Sequence, residues 1–464
     1  MLPTPTSLRR RLSDATDLRS RRLHDETRSI SLEDVLTGTS LDADAQDLAG
    51  RSVLLLTDRQ LAAGLALIEL DGVARRIVIC PPDLDPARIA DLVEDASCDA
   101  VVTDLVQMPA SGIALQVRCG RDLAPKDSHP THECETEWVM LTSGTAGRPK
   151  MVVHSLKALT GAIVRSPSNG QEPQPVWGTF YDIRRYGGLQ IFLRAMVGTG
   201  SLILSNPGED VVSHLKRLAR HHVTHQSGTP SHWRKVLMSA GADIIDPDYV
   251  RLSGEIADQA VLDNLRRAYP RAAIGHAYAS TEAGVAFEVT DGREGFPSDI
   301  VGHAGPLAMR VEDGSLRISS DRAAQRYVGP NAPALTDADG FIDTDDMVEL
   351  RGDRYFFVGR RSGVINVGGL KVHPEEVEAV INRHDRVRVS LVRGRTNPIT
   401  GSIVVADVVL DAEPGAPVIE EAALKSDILA MCRRALPQHK VPVQLRFLPR
   451  LDFTPAGKLA RPHA

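Results

Sequence analysis

From residue 50 onward, two kinds of hydrophobic run alternate along the chain. "SVLLLT" (52–57) and "RIVIC" (76–80) are short, continuous and apolar, which reads as strands buried on both faces. Between them, "DRQLAAGLALIELDGV" (58–73) is long enough for a helix. "PARIADLVEDAS" (86–97) reads as a helix and "DAVVTDL" (99–105) as a strand. The alternation resumes with helix "SLKALTGAIVRS" (155–166), strand "SLILS" (201–205) and helix "DVVSHLKRLARHH" (210–222). Helix "ADQAVLDNLRRAYP" (257–270) then leads into the strand-like "AAIGHAYAS" (272–280). Strands alternating with helices predict an α/β fold. No period of repeat length is present, so a solenoid is not expected.

After residue 300 the pattern changes. "SLRISS", "MVELRGDRYFFVGR" and "GVINVGGLKV" predict short strands joined by turns. The last block mixes helix "PEEVEAVINRH", strands "RVSLVRG" and "SIVVADVVL", helix "EEAALKSDILAMCRRAL" and strand "VQLRFLP". The expectation is a large N-terminal α/β domain of layered sheets and helices, residues 1–361, and a small mobile C-terminal α+β domain, residues 362–464. The boundary falls at Arg361–Gly363.

With 464 residues, 42% hydrophobic and 25% charged, the chain is an ordinary globular protein of more than one domain. A net charge of −6 gives no support to a nucleic-acid surface. No apolar run is long enough to span a bilayer. Cys80, Cys98, Cys119, Cys134 and Cys432 are scattered without pairing, as expected of reduced thiols in a cytoplasmic protein. The arginine-rich start (1–30) lacks the apolar core of a secretory signal. Asp14, Asp17, Asp25 and Glu26 oppose an organelle transit peptide, leaving a solvated helix or mobile tail as the expectation.

The chemistry begins at "LTSGTAGRPKMVVHS" (141–155), where hydroxyls, glycines and a lysine crowd into one loop. Freed backbone N–H groups, hydroxyls and an ammonium all suit phosphate oxygens. The stretch is not a Walker loop, because Gly144 and Gly147 are too close and Met151 stands where a magnesium-binding hydroxyl belongs. "DADGFIDTDD" is not a calcium loop either, since the first ligand position falls on Leu335.

Four further stretches accompany that loop: "YASTEAG" (278–284), "GFIDTDDMVEL" (340–350), "GRRSGVINVGGLKVHPEEVE" (359–378) and "TPAGKLAR" (454–461). In this order the five resemble the AMP-forming adenylating superfamily of acyl-CoA synthetases, peptide-synthetase adenylation domains and luciferases, acyl-CoA synthetases most of all. The resemblance runs from about Leu141 to Arg461. It implies activation of a small carboxylic acid by ATP with Mg²⁺, giving acyl-AMP and pyrophosphate. The acyl group then passes to a thiol, coenzyme A or the phosphopantetheine of a holo acyl or peptidyl carrier protein. A homodimer is compatible with it, as is a non-catalytic homologue that only binds nucleotide or a partner.

The resemblance also implies roles. Thr142, Ser143, Gly144, Thr145, Gly147 and Lys150 would hold the β- and γ-phosphates. Tyr278 would offer a flat face to adenine, Thr281 a hydroxyl near phosphate, and Glu282 an oxygen ligand to Mg²⁺. Gly254 and Glu255, in "SGEIA", would cover the other adenine face. Asp346 and Arg360 would bind the ribose hydroxyls; a surface ion pair is the plainer reading of these two. Gly368 and Gly369 would line the thiol tunnel, or form an ordinary hairpin turn. Lys458 would bring an ammonium group to the attacking carboxylate and α-phosphate.

The chain departs from the pattern at several points. Ala279 and Asp345 replace usual glycines, Asn366 a common lysine, and Ser362-Gly363 the usual Asp-Asp hinge. The acid pocket is expected from 177–190, 226–233 and Gly254. There Arg184 and Arg185 either favour an acid with a second polar or anionic group or are simply exposed. His221, His222 and His225 in "RHHVTHQ" read as packing at a helix end rather than as metal ligands.

Overall fold

The computed structural model describes residues 7–15, 17–107, 112–126, 134–142, 149–163, 174–206, 208–397, 401–410, 421–452 and 459. Two eight-stranded sheets form the body. The first runs, edge to edge, Arg326–Val328, Lys150–His154, Glu137–Thr142, Arg76–Ile79, Ser52–Leu56, Ala100–Thr103, Leu115–Pro125 and Gly38–Leu41. Its five middle strands, from Glu137–Thr142 to Leu115–Pro125, are parallel. Every residue of Ser52–Leu56 is buried, as an apolar strand covered on both faces must be. The second sheet runs Gly284–Val289, Ala273–Ser280, Tyr249–Ser253, His225–Gly228, Val176–Thr179, Ser201–Ile203, Arg22–His24 and Ser29–Ser31.

The main core lies between these sheets, around the helices Gln60–Leu70 and Tyr186–Val197. All residues of Gln60–Leu70 are buried, which accounts for a sequence that is apolar all round. The outer helices are amphipathic and capped. Asp210 accepts from the Ser213 amide ahead of Val211–Arg220, and Asp258 from Val261 ahead of Gln259–Ala268.

The N-terminal segment is not a solvated helix or tail. Leu8 and Leu12, one helical turn apart in Leu8–Ser13, are fully buried in the main core. Arg21, only 1% exposed, donates to the carbonyls of Ala195, Met196 and Gly200 at the end of Tyr186–Val197. Arg22–His24 then adds a parallel strand beside Ser201–Ile203. A guanidinium that satisfies several orphan carbonyls can be interior, and arginine-rich composition conceals this.

An antiparallel five-stranded sheet follows: Phe296–Pro297, Arg354–Arg360, Ile342–Arg351, Ser315–Ser320 and Leu307–Glu312. The chain passes through the short turn Arg361–Gly363 into a last sheet of Leu370–Val372, Ile365–Val367, Gly401–Leu410, Val387–Asn397 and Gln444–Phe447. The helices Pro374–Ile381 and Glu421–Ala435 pack on it with a separate core that includes Val377, Val408 and Ile428. The fold is thus α/β with a smaller α+β unit at the C-terminus. No helix of the described residues is long and apolar enough to cross a membrane.

Candidate active site

The phosphate-type loop joins two antiparallel strands that the hydrophobic pattern did not reveal. Glu137–Thr142 and Lys150–His154 pair so that Thr142 stands opposite Lys150. Both ends of the loop therefore start from one point at the ends of these two strands. Ser143, Gly144, Thr145 and Gly147 lie outside the described residues, as does Lys458 near the C-terminus.

Tyr278, near the end of strand Ala273–Ser280, meets the antiparallel sheet. Its hydroxyl donates to Asp346 Oδ2 at 2.6 Å, and Arg360 Nε donates to Asp346 Oδ1 at 3.2 Å. Asp346 and Arg360 face each other across neighbouring strands, so their pairing is set by register. The Tyr278 ring is stacked with Phe357 at 5.1 Å and Phe287 at 5.6 Å between centroids. Burial, and then the Asp346 charge, hold the Tyr278 hydroxyl well above its ordinary pKa. A carboxylate has about four acceptor positions. With two in use, Asp346 retains acceptors suited to a pair of ribose hydroxyls.

The turn after Tyr278 carries Thr281 and Glu282. It closes at Gly284, whose φ of +77° and position 2.3 Å from the Arg322 carbonyl, measured to an added Cβ, admit only glycine. Glu282 Oε1 receives a long 3.4 Å bond from the Tyr327 hydroxyl, and Lys150 Nζ lies 5.5 Å from the Tyr327 ring centroid. Tyr327 pairs with Val152 on the strand that begins at Lys150. Two neighbouring strands and a turn thus place an ammonium and a carboxylate on either hand of one phenol, Tyr327. Glu282 Oε2 has no partner among the described residues, which fits a hard cation. Neither Tyr327 nor His154 was singled out by the sequence. His154 is fully buried with both ring nitrogens unpartnered, and burial pushes its pKa down to about 4.

Glu255 is committed elsewhere. Its carboxylate accepts from the Ser231 amide at 2.9 Å and hydroxyl at 3.0 Å, at the start of helix Pro230–Leu237. The side chain therefore holds that helix, and the Gly254–Glu255 backbone is what remains for a ligand. Gly368 and Gly369 form the two-residue turn of a hairpin with φ of +58° and +86°. A Cβ on either would meet nothing within 4 Å, so backbone conformation rather than crowding requires glycine there.

The Ser362-Gly363 turn, expected from the sequence to lack the usual carboxylates, has carboxylates beside it. Ser362 N donates to Asp345 Oδ2 at 3.3 Å, and Arg361 Nη1 to Asp343 Oδ2 at 3.3 Å. Asp345, standing where a glycine is usual, keeps the left-handed φ of +63°.

Arg184 and Arg185 each have an acidic partner. Arg184 is buried and bound bidentately by Asp182, at 2.8 and 2.6 Å, and Arg185 is paired with Asp83. His221 stacks on His24 at 4.0 Å, and His225 packs against Trp177. Among the described residues no cluster of His, Cys, Asp and Glu could hold a metal ion, and all five cysteines are free.

Two family models match the chain: the AMP-binding enzyme over residues 53–332 and the AMP-binding enzyme C-terminal domain over 376–458. The chain is 28% identical to an isonitrile lipopeptide synthase of Streptomyces coeruleorubidus, spanning 86% of this chain but 28% of that protein. It is 25% identical to a 2-succinylbenzoate–CoA ligase of Listeria monocytogenes, over 78% of this chain and 76% of that one. Its fold resembles o-succinylbenzoate CoA synthetase from Bacillus subtilis with a TM-score of 0.76 and 18% identity, covering 98% of this chain and 97% of the other. The first model alone takes in more than half of the sequence, and its residues include the Thr142, Lys150, Tyr278 and Glu282 positions described above. The chain belongs to the AMP-binding enzyme family.

Proposed function

We propose that the protein is an AMP-forming acid–thiol ligase. A carboxylate oxygen of the acid attacks the α-phosphorus of ATP, and the bond to the leaving pyrophosphate breaks. A thiolate then attacks the acyl carbon and AMP departs. The observation that carries this reading is the Tyr278–Asp346–Arg360 arrangement, a stacked phenol and a half-buried carboxylate with spare acceptors. Such a group suits an adenosine moiety, with Gly254 on its other side.

In this reading Thr142 and Lys150, with Ser143, Gly144, Thr145 and Gly147, grip the phosphates. Glu282 holds Mg²⁺, which neutralises phosphate charge when bound. Thr281 would offer a hydroxyl to phosphate. Lys458 supplies an ammonium group as negative charge builds at phosphorus. The unit after the Arg361–Gly363 turn acts as a lid that swings on it, bringing the Gly368–Gly369 hairpin in for the thiol step.

Coenzyme A is the acceptor this reading favours, since relatives that match along most of their own length are named as CoA ligases. The match to the isonitrile lipopeptide synthase favours a carrier protein's phosphopantetheine as the second reading. ATP–pyrophosphate exchange across a panel of acids tests the first half-reaction. Adding coenzyme A or a holo carrier protein separates the acceptors. Nucleotide binding with no exchange for any acid would mark a non-catalytic homologue.

A further inference from the structure

Tyr327 is the middle residue of the short edge strand Arg326–Val328. Its neighbour Val328 packs against the core on one face of the sheet, with Met151 and Val153. Successive strand residues point to opposite faces, so Tyr327 shares the other face with Val152, its partner in register, and with Lys150 two residues earlier. A diagonal pair of this kind is within reach of an aromatic ring and a long side chain. On that face the half-buried phenol joins none of the hydrophobic cores of the described residues. Core packing therefore does not account for it, and its two charged neighbours remain.

Lys150 Nζ lies over the ring, 5.5 Å from its centroid, and the hydroxyl donates to Glu282 Oε1 at 3.4 Å. The face of an aromatic ring attracts a cation, while its hydroxyl can donate to an anion. Burial, and then the Glu282 charge, push the hydroxyl's pKa up to about 12, so it stays protonated and a donor. The backbone brings the carboxylate there. Glu282 O accepts from Ala324 N at 2.8 Å, and Gln325 N donates to Val153 O at 2.8 Å. Two consecutive residues thus tie the Glu282 turn to the strand of Lys150, with Tyr327 two positions further on.

Lys150 and Glu282 make no ion pair with each other, or with any other described residue. Their charges are opposite, both border one ring, and the ammonium rides on a flexible four-carbon stem. Paired, the ammonium would have less to offer a phosphate and the carboxylate less to offer a cation. Each is instead engaged by a different part of one rigid side chain.

We propose that Tyr327 is a positioning residue that keeps Lys150 and Glu282 apart, so that the ammonium meets the polyphosphate of ATP unpaired. The ring face holds Lys150 and the hydroxyl holds Glu282 until the nucleotide arrives. This rests on the ligase reading above, in which Lys150 grips the β- and γ-phosphates.

The test is a double-variant cycle read by calorimetry, with ATP and with AMP, in EDTA so that no metal takes part. Tyr327→Val suits a strand and removes the ring. It should bind metal-free ATP about fivefold more weakly than wild type, the size of an exposed ion pair newly formed between Lys150 and Glu282. In the Glu282→Gln background no such pair can form, and there Tyr327→Val should change ATP affinity by less than about twofold. Tyr327→Phe keeps the ring face and should stay within about twofold of wild type. AMP lacks the β- and γ-phosphates and should bind every variant as it binds wild type, which reports an intact fold and nucleoside site. Unchanged ATP affinity in Tyr327→Val, or an equal loss in the Glu282→Gln background, overturns the proposal and leaves the ligase reading in place. So does an equal loss in Tyr327→Phe, or a loss of AMP binding in Tyr327→Val. Failure of wild type to bind either nucleotide overturns the ligase reading, and the proposal falls with it.

Discussion

The hydroxyl of Tyr278 donates to Asp346 Oδ2 at 2.6 Å, joining the end of a mixed sheet to the centre of an antiparallel one. This bond fixes the phenol ring against Phe357 while leaving the other Asp346 oxygen to Arg360. Asp346→Asn keeps the shape and removes the charge. The expected result is a rise in KM for ATP of tenfold to about a hundredfold, the cost of a charged hydrogen bond. Tyr278→Phe should cost less, about fivefold. ATP–pyrophosphate exchange at varied ATP measures both.

Arg21 holds the end of helix Tyr186–Val197 through three carbonyls. Arg21→Met leaves those acceptors buried without a donor and should destabilise the fold by about 2–4 kcal/mol. Urea unfolding checks this. A midpoint unchanged from wild type would mean that the N-terminal segment is dispensable.

His154 is neutral in the fold, with its pKa pushed down to about 4 by burial, against about 6.5 when unfolded. Its contribution to stability is whole above pH 6.5 and is lost progressively as pH falls toward 4. His24, also lowered to about 4 by burial, acts with the same sign. Urea midpoints should be level from pH 7 to 8 and decline below 6.5. His154→Leu should flatten that decline by on the order of 2–3 kcal/mol between pH 7 and 4.

Asp345 and Asp343 tie Ser362 and Arg361 to the facing strand. Asp345→Gly keeps the left-handed turn and removes only the carboxylate. Local opening at the turn should become easier, so trypsin should cut after Arg360 or Arg361 several times faster than in wild type. A cleavage time course followed by mass spectrometry gives the answer; equal rates would show that the carboxylate holds nothing.

Much of this was legible in the chain. Strands such as Ser52–Leu56 and helices such as Val211–Arg220 follow from apolar runs and periodicity, and the motif order led to the adenylating family. The missing parts have physical reasons. Lys150–His154 follows Arg148 and Pro149 and holds only a short apolar run, too brief to separate from loop. Arg21 is interior because carbonyls from distant residues converge on it, which no local pattern records. The contacts of Asp343 and Asp345 with Arg361 and Ser362 could be found only through strand register.

The most direct measurement separates the two half-reactions in Lys458→Ala. The account requires the C-terminal unit to deliver an ammonium group for adenylation and to do something else for thiol transfer. With an accepted acid, pyrophosphate release by the variant should fall about a hundredfold to a thousandfold, the range seen when an electrostatic stabiliser of a transition state is removed. Transfer from preformed acyl-AMP to coenzyme A or the carrier thiol should stay within about threefold of wild type. Equal loss of both steps, or no loss of the first, contradicts the account.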